Sequence, residues 1–223
     1  MQFVGGIVAL IVGVMIGEGM RRWLNRLGYR LGPEKDEIDE IDETALAAPG
    51  VRWWIPLVLG LSWAVTAYLM VGSLDDLPSI AHFGGWLGFI VVGVWLAAVD
   101  LDVQRLPDVG QLGLAGIALV AGILVTWGDP MTLLIALGYA LGCGGAFLVI
   151  HLISRGAMGF GDVKLAATCG WWLGLVSLTA VFTGLVAACL LAIAYSLITR
   201  SRQFAFGPWL IAGAVLAGWG TLL

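Results

Sequence analysis

A chain of 223 residues that is 60% hydrophobic, only 12% charged and of mean hydropathy +0.98 carries more apolar surface than a water-soluble fold needs. That excludes an ordinary soluble globular enzyme, and a formal charge of −4 leaves no basic footprint for nucleic acid. Eleven tryptophans and 33 glycines suit a polytopic membrane protein, because Trp gathers at bilayer interfaces and Gly lets helices approach closely.

The first apolar run, residues 2–20, has no basic stretch ahead of it and no small-residue cleavage site behind it, so it reads as a retained span rather than a signal peptide. Residues 21–53 follow, with the acidic run EKDEIDEIDE at 34–43; this segment is too short and too polar to build its own core and reads as a loop or surface helix. Further apolar stretches cover about 54–72, 80–99, 109–127, 131–152, 165–179, 180–199 and 205–222. At 1.5 Å per residue these approach the roughly 30 Å of hydrocarbon in a bilayer. The sixth and seventh abut near WWLGLVSLTA with no turn signal between them, and a re-entrant or broken helix there would reduce the count to six or seven. No internal repeat is visible. The expected fold is all-α, a single membrane domain over residues 1–223 with about eight transmembrane helices.

Eight spans sort the charges cleanly. The loops at 21–53, 100–108, 153–164 and 200–204 hold all eleven Lys and Arg residues, whereas the opposite loops hold Asp75, Asp76 and Asp129. The positive-inside rule then predicts an N-terminus outside and those four loops in the cytoplasm. Cys143, Cys169 and Cys189 lie in apolar stretches without a CxxC pair, so they read as small hydrophobes rather than metal ligands. His82 and His151 read as interfacial or packed side chains, and the pairs Trp53–Trp54 and Trp171–Trp172 as interface anchors or packing residues. No metal site and no cofactor motif is present in the sequence.

Carboxylates beside the apolar region are expensive unless paired, solvated or protonated, which marks them as functional candidates. Asp100 follows FIVVGVWLAAV, and Asp162 sits in GAMGFGDVK just before the span beginning at Leu165. The predicted topology brings both to one membrane face at similar depth. Two such groups can divide the work of an aspartic protease: one takes a proton from water while the other donates to the scissile carbonyl. They share a proton because like charges a few ångströms apart cannot both ionise cheaply. Gly156, Gly159 and Gly161 beside Asp162 leave room for another backbone and permit unusual torsions.

The segment GAMGFGDVKLAA closely resembles the GMGxGDxKL signature of the type IV prepilin peptidases, membrane aspartic proteases of the GxGD type. VDLDVQRLPD is similar to that family's first aspartate motif, in which Asp is followed eight residues later by Asp or Asn after Leu/Ile-Pro. FAFGPWLIAG resembles its PFGPFLAxG segment, with Ala205 where proline is usual. VGVMIGEGMRRWLNRLGYRLG loosely resembles GSFLNVVIYRLP, with Glu18 in place of serine. The resemblance implies Asp100 and Asp162 as the catalytic pair. Asp102 is the rival for the first place, and counting back eight from Asp108 selects Asp100. Gly159, Gly161 and Lys164 match motif positions. Lys164 either acts near the site or snorkels to the interface. Pro107 and Asp108 are expected to shape the loop end and the start of the next helix.

The implied activity is hydrolysis of a prepilin or pseudopilin precursor at the cytoplasmic face of the inner membrane, removing a short basic leader ahead of an apolar helix. No nucleic acid is an expected partner; the bilayer is, and the oligomeric state is left open. Members of the family commonly carry a larger cytoplasmic insert with paired CxxC motifs and also N-methylate the product. Here residues 21–53, without cysteine, stand in its place, so the expectation is a compact peptidase-only member, or one whose methylation partner lies elsewhere. The acidic run at 34–43 is either a solvated spacer or an attractor for the basic leader. Two other classes stay open. A proton-coupled transporter would place its acids near mid-membrane on repeated halves. A non-catalytic assembly factor of a pilus or secretion machine would keep the fold without needing both aspartates.

Overall fold

A computed structural model describes residues 2–29, 52–154, 158–199 and 205–223. The acidic run at 34–43, Gly156 and the basic residues Arg30, Lys35, Arg155, Arg200 and Arg202 lie outside the described residues. Among those described there are eight α-helices in chain order: α1 Gln2–Leu24, α2 Trp54–Met70, α3 Leu77–Val103, α4 Asp108–Val125, α5 Pro130–Ile153, α6 Phe160–Gly174, α7 Leu178–Thr199 and α8 Gly207–Gly220.

The helix ends follow local chemistry. Asp76 accepts the Ser79 amide at 2.9 Å and Ser79 answers it in a capping box, with Pro78 in the first turn of α3. Asp129 accepts the amides of Met131 and Thr132 ahead of Pro130 and so starts α5. Both carboxyls are held below the usual carboxylate range by hydrogen bonds, chiefly from the Ser79 and Thr132 side chains. At the other end of α3, Gln104 takes a left-handed conformation (φ 48°), and Pro107 then opens α4 as its N-cap. The Pro107–Asp108 expectation therefore matches the observed helix start.

Six helices are long and apolar enough to cross a bilayer: α1, α2 with its 3₁₀ extension to Ser73, α3, α4, α5 and α7. The chain is a polytopic membrane protein. The expected sixth span is shifted five residues toward the N-terminus, and the eighth is shorter than predicted. The sixth helix begins at Phe160 and ends at Gly174, not 165–179, and α8 has 14 residues, so these two are only about 22 Å and 21 Å long.

The two short helices sit inside the bundle. Nine of the 15 residues of α6 and nine of the 14 of α8 are buried, against three of 24 in α5 and five of 23 in α1. Protein rather than lipid surrounds α6 and α8, so their length need not match the hydrocarbon. At the end of α3 away from Asp100, Trp86 meets Trp172 edge-on at 5.2 Å between centroids while Phe89 stacks on Trp172 at 5.7 Å. His82 Nε2 accepts the Trp86 indole N–H at 3.0 Å, which makes this histidine part of that packing. Gly85 and Gly218 give the indoles their room: a β-carbon on either would come within 2.4 Å of a tryptophan ring atom. On the other flank, α1 lies on α2 through Gly13, Gly17 and Gly60, the small-residue contact that membrane helices use in place of a hydrophobic driving force.

Candidate active site

Asp100 lies in the last turns of α3 rather than beyond its end, and Asp162 in the first turn of α6 rather than ahead of it. An acidic group in a first turn favours the helix macrodipole, which helps α6 to begin before its apolar run. The two carboxylates are almost without solvent, at 4% and 9% exposure. Their segments meet at Leu106, which packs against Gly161 beside Asp162 and against Gly207, the partner of Asp100. Chain segments remote in sequence thus deliver two buried acids to one place.

A third segment completes the arrangement. Asp100 Oδ2 accepts the backbone N–H of Gly207, the first residue of α8, at 3.0 Å. A β-carbon on Gly207 would stand 2.7 Å from that oxygen, so only glycine allows the amide and carboxylate to meet in this way. Leu106, buried between α3 and α4, fills the space between the motifs: a β-carbon on Gly161 would lie 2.9 Å from its Cβ, and one on Gly207 would lie 3.2 Å from its Cδ2. The requirement at Gly161 is space. Gly159 is the N-cap of α6 with φ −65°, an ordinary torsion, so unusual backbone conformation is not what these described motif glycines supply.

The glycine segment is fastened on both sides. Gln111 of α4, 4% exposed, donates through Nε2 to the Gly161 carbonyl at 2.8 Å. His151 Nδ1 donates to the Met158 carbonyl at 2.6 Å, and its ring meets Phe160 edge-on. Lys164 pairs with Asp108 at 2.5 Å and lies 5.3 Å from the Phe160 ring centroid. Both members of that pair are substantially exposed, so it links the start of α4 to α6 near the surface and contributes little stability by itself. Asp162 Oδ1 is buried and accepts no hydrogen bond among the described residues.

Asp102 is in a different environment. It forms a buried ion pair with Arg52 at 3.3 Å, both side chains being 1% exposed, and accepts the Tyr29 hydroxyl. Arg52 also donates to the Tyr29 oxygen at 2.7 Å and to the Leu24 carbonyl at 2.8 Å. Burial, then the bond to Asp102, pushes the Tyr29 phenol up to about 12, so it remains a neutral donor. The rival aspartates have different partners: Asp100 accepts the Gly207 amide, and Asp102 is paired with Arg52 and Tyr29.

Gln111, His151, Leu106 and the amide of Gly207 were not singled out by the motifs. A lone amide side chain in the apolar stretch VGQLGLAGIAL was the available signal for Gln111, because a polar group inside a membrane helix needs a partner.

Comparison with known proteins bears on this arrangement. The profile of the type IV leader peptidase family matches residues 87–197, a span that includes Asp100, Asp108, Asp162 and Lys164 and stops short of Gly207. The prepilin leader peptidase/N-methyltransferase of Dickeya chrysanthemi is 36% identical over 187 residues, covering 76% of this chain and 63% of that protein. The type 4 prepilin-like proteins leader peptide-processing enzyme of Escherichia coli O78:H11 is 35% identical, over 59% of this chain and 51% of its own. A prepilin leader peptidase/N-methyltransferase of Escherichia coli K12 is 28% identical over 91% of this chain and 92% of its own length. The chain spans 51–63% of the length of the first three relatives it matches. No solved structure matches it.

Proposed function

The chain belongs to the type IV leader peptidase family, and from that premise we propose that it is a membrane aspartic endopeptidase acting on prepilin-like precursors. It removes a short basic leader ahead of an apolar helix, at the cytoplasmic face of the inner membrane. Asp100 and Asp162 are the catalytic pair. The observation that carries this reading is the burial of two carboxylates, on α3 and α6, whose neighbours Gly207 and Gly161 both pack against Leu106, within the family-matched span.

The chemistry follows from the surroundings of each acid. One carboxylate of the pair, ionised, takes a proton from the attacking water as the new C–O bond forms, and the Gly207 amide holds Asp100 in place for that step. The other carboxyl carries the proton that passes to the scissile carbonyl oxygen. Collapse of the tetrahedral diol breaks the C–N bond: one hydroxyl returns its proton to the ionised carboxylate as the C=O re-forms, the leaving nitrogen takes the proton of the other, and the pair again holds one shared proton. Gly159 leaves space for an extended substrate backbone, Gly161 lets Leu106 and Gln111 pack against the start of α6, and Lys164, Pro107 and Asp108 support the geometry by joining α4 to α6. The arginine-bearing loops face the cytoplasm with the N-terminus outside.

Cleavage of a precursor by purified protein tests this reading. Asp100→Asn and Asp162→Asn are each expected to lose at least 10³-fold in kcat/KM, while Asp102→Asn retains cleavage per folded molecule. Normal cleavage by Asp100→Asn and Asp162→Asn would remove the aspartic mechanism, and an inactive, folded Asp102→Asn beside an active Asp100→Asn would reassign the first acid.

A further inference from the structure

A cavity of about 490 Å³ opens between α2, α3, α7 and α8. Its wall on α3 is the stripe Ile90, Val94, Ala97 and Leu101, one helical face about 16 Å long that ends on the residue after Asp100. Its wall on α8 begins at Pro208, the residue after the Gly207 that holds Asp100. The far end is closed where the Trp219 indole N–H donates to Thr66 Oγ1 at 3.0 Å, joining α8 to α2. The groove thus has one end at the Trp219–Thr66 bond and the other at Leu101 and Pro208, the chain neighbours of Asp100 and Gly207. Ser62 is the one residue with a polar side chain on the apolar aliphatic and aromatic lining, apart from the indoles.

We propose that this groove seats the apolar helix of the precursor that follows the scissile bond. The inference rests on the peptidase reading and specifies where its substrate lies. Three observations favour that occupant. The lining is apolar and runs parallel to the helices, as a membrane-embedded segment requires. The groove ends at Leu101 and Pro208, next in the chain to Asp100 and to the glycine that holds it, so a helix lying in it brings the bond at its own start to the level of that acid. Charge decides between a helix and a phospholipid tail. A lipid seated in the groove would bring its phosphate against two carboxylates that already repel each other, whereas a precursor brings a basic leader to the same point.

The experiment uses the full chain in phospholipid vesicles with a precursor bearing a basic leader and an apolar helix. A photo-reactive benzoylphenylalanine replaces Val58, 41% exposed and on the groove, or Leu141, 69% exposed on α5, in the Asp162→Asn protein. The precursor is expected to be captured from position 58 and not from 141. Ala212→Trp, which fills the groove, is expected to raise KM at least tenfold with kcat within twofold of the parent. Capture from 141 as strong as from 58, or a folded Ala212→Trp with unchanged KM, overturns the assignment. Loss of a co-purifying phospholipid from Ala212→Trp with KM unmoved also overturns it, in favour of a lipid site. If Ala212→Trp does not fold, the capture experiment decides. Failure of the parent protein to cleave the precursor at all counts against the peptidase reading, and cleavage without capture at 58 counts against the groove alone.

Discussion

One hydrogen bond sets the position of the first acid. Asp100 Oδ2 receives the Gly207 amide at 3.0 Å, and a β-carbon at residue 207 would sit 2.7 Å from the same oxygen. The neighbour is a carboxylate on a packed helix, so Gly207→Ala displaces the acid by a fraction of an ångström while leaving the α8 backbone able to form. Misplacement on that scale is expected to lower kcat/KM by about 10- to 100-fold. The measurement is precursor cleavage beside thermal unfolding: an activity loss with a nearly unchanged unfolding midpoint supports the positioning role, and full activity denies it. The sequence narrows this position only partly. FAFGPW marks the segment through its family resemblance, but nothing in it says that the glycine amide points at an acid on α3. Asp100 and Asp102 are likewise inseparable by composition, being two residues apart in one polar patch. What divides them is Arg52 and Tyr29, which fold onto Asp102 from a distant part of the chain.

At the scale of single helices, apolar run length predicts most boundaries well, because backbone groups in lipid must be satisfied within the helix. It misplaces α6, whose polar first turn carries Asp162 and Lys164 and therefore falls outside an apolar count. It also makes α8 too long, since run length cannot tell a lipid-facing helix from one enclosed by protein. Gly13 illustrates what run length omits. A β-carbon there would lie 2.8 Å from the Gly60 Cα, a backbone atom that cannot turn aside, while Gly19 on the same helix has nothing within 4 Å. Gly13→Leu is expected to overpack the α1–α2 contact and cost about 1–3 kcal/mol. Gly19→Leu is expected to stay within about 0.5 kcal/mol, as surface changes usually do. Denaturant titration of both variants in one detergent checks the difference, and equal midpoints would mean that α1 and α2 do not pack through this face.

At the scale of the whole molecule, the Arg52–Asp102–Tyr29 cluster joins the end of α1, the approach to α2 and the end of α3. The α1–α2 hairpin is thereby tied to the helix that carries Asp100. No local pattern announces this tie, because its members come from three separated segments and look like ordinary interfacial residues. A buried ion pair is weak evidence for net stability, since desolvation offsets much of the attraction, but breaking one side leaves a charge without its partner. Arg52→Met alone is accordingly expected to cost about 3–5 kcal/mol. The double change Arg52→Met with Asp102→Leu is expected to recover at least half of that loss, because neither charge of the pair is then left buried without the other, although the Leu24 carbonyl still lacks its donor. Unfolding midpoints of the parent, both single variants and the double variant form the cycle that measures the coupling. Additive losses would mean that the pair is not coupled, and the tie between the hairpin and the Asp100 helix would then have to rest on packing alone.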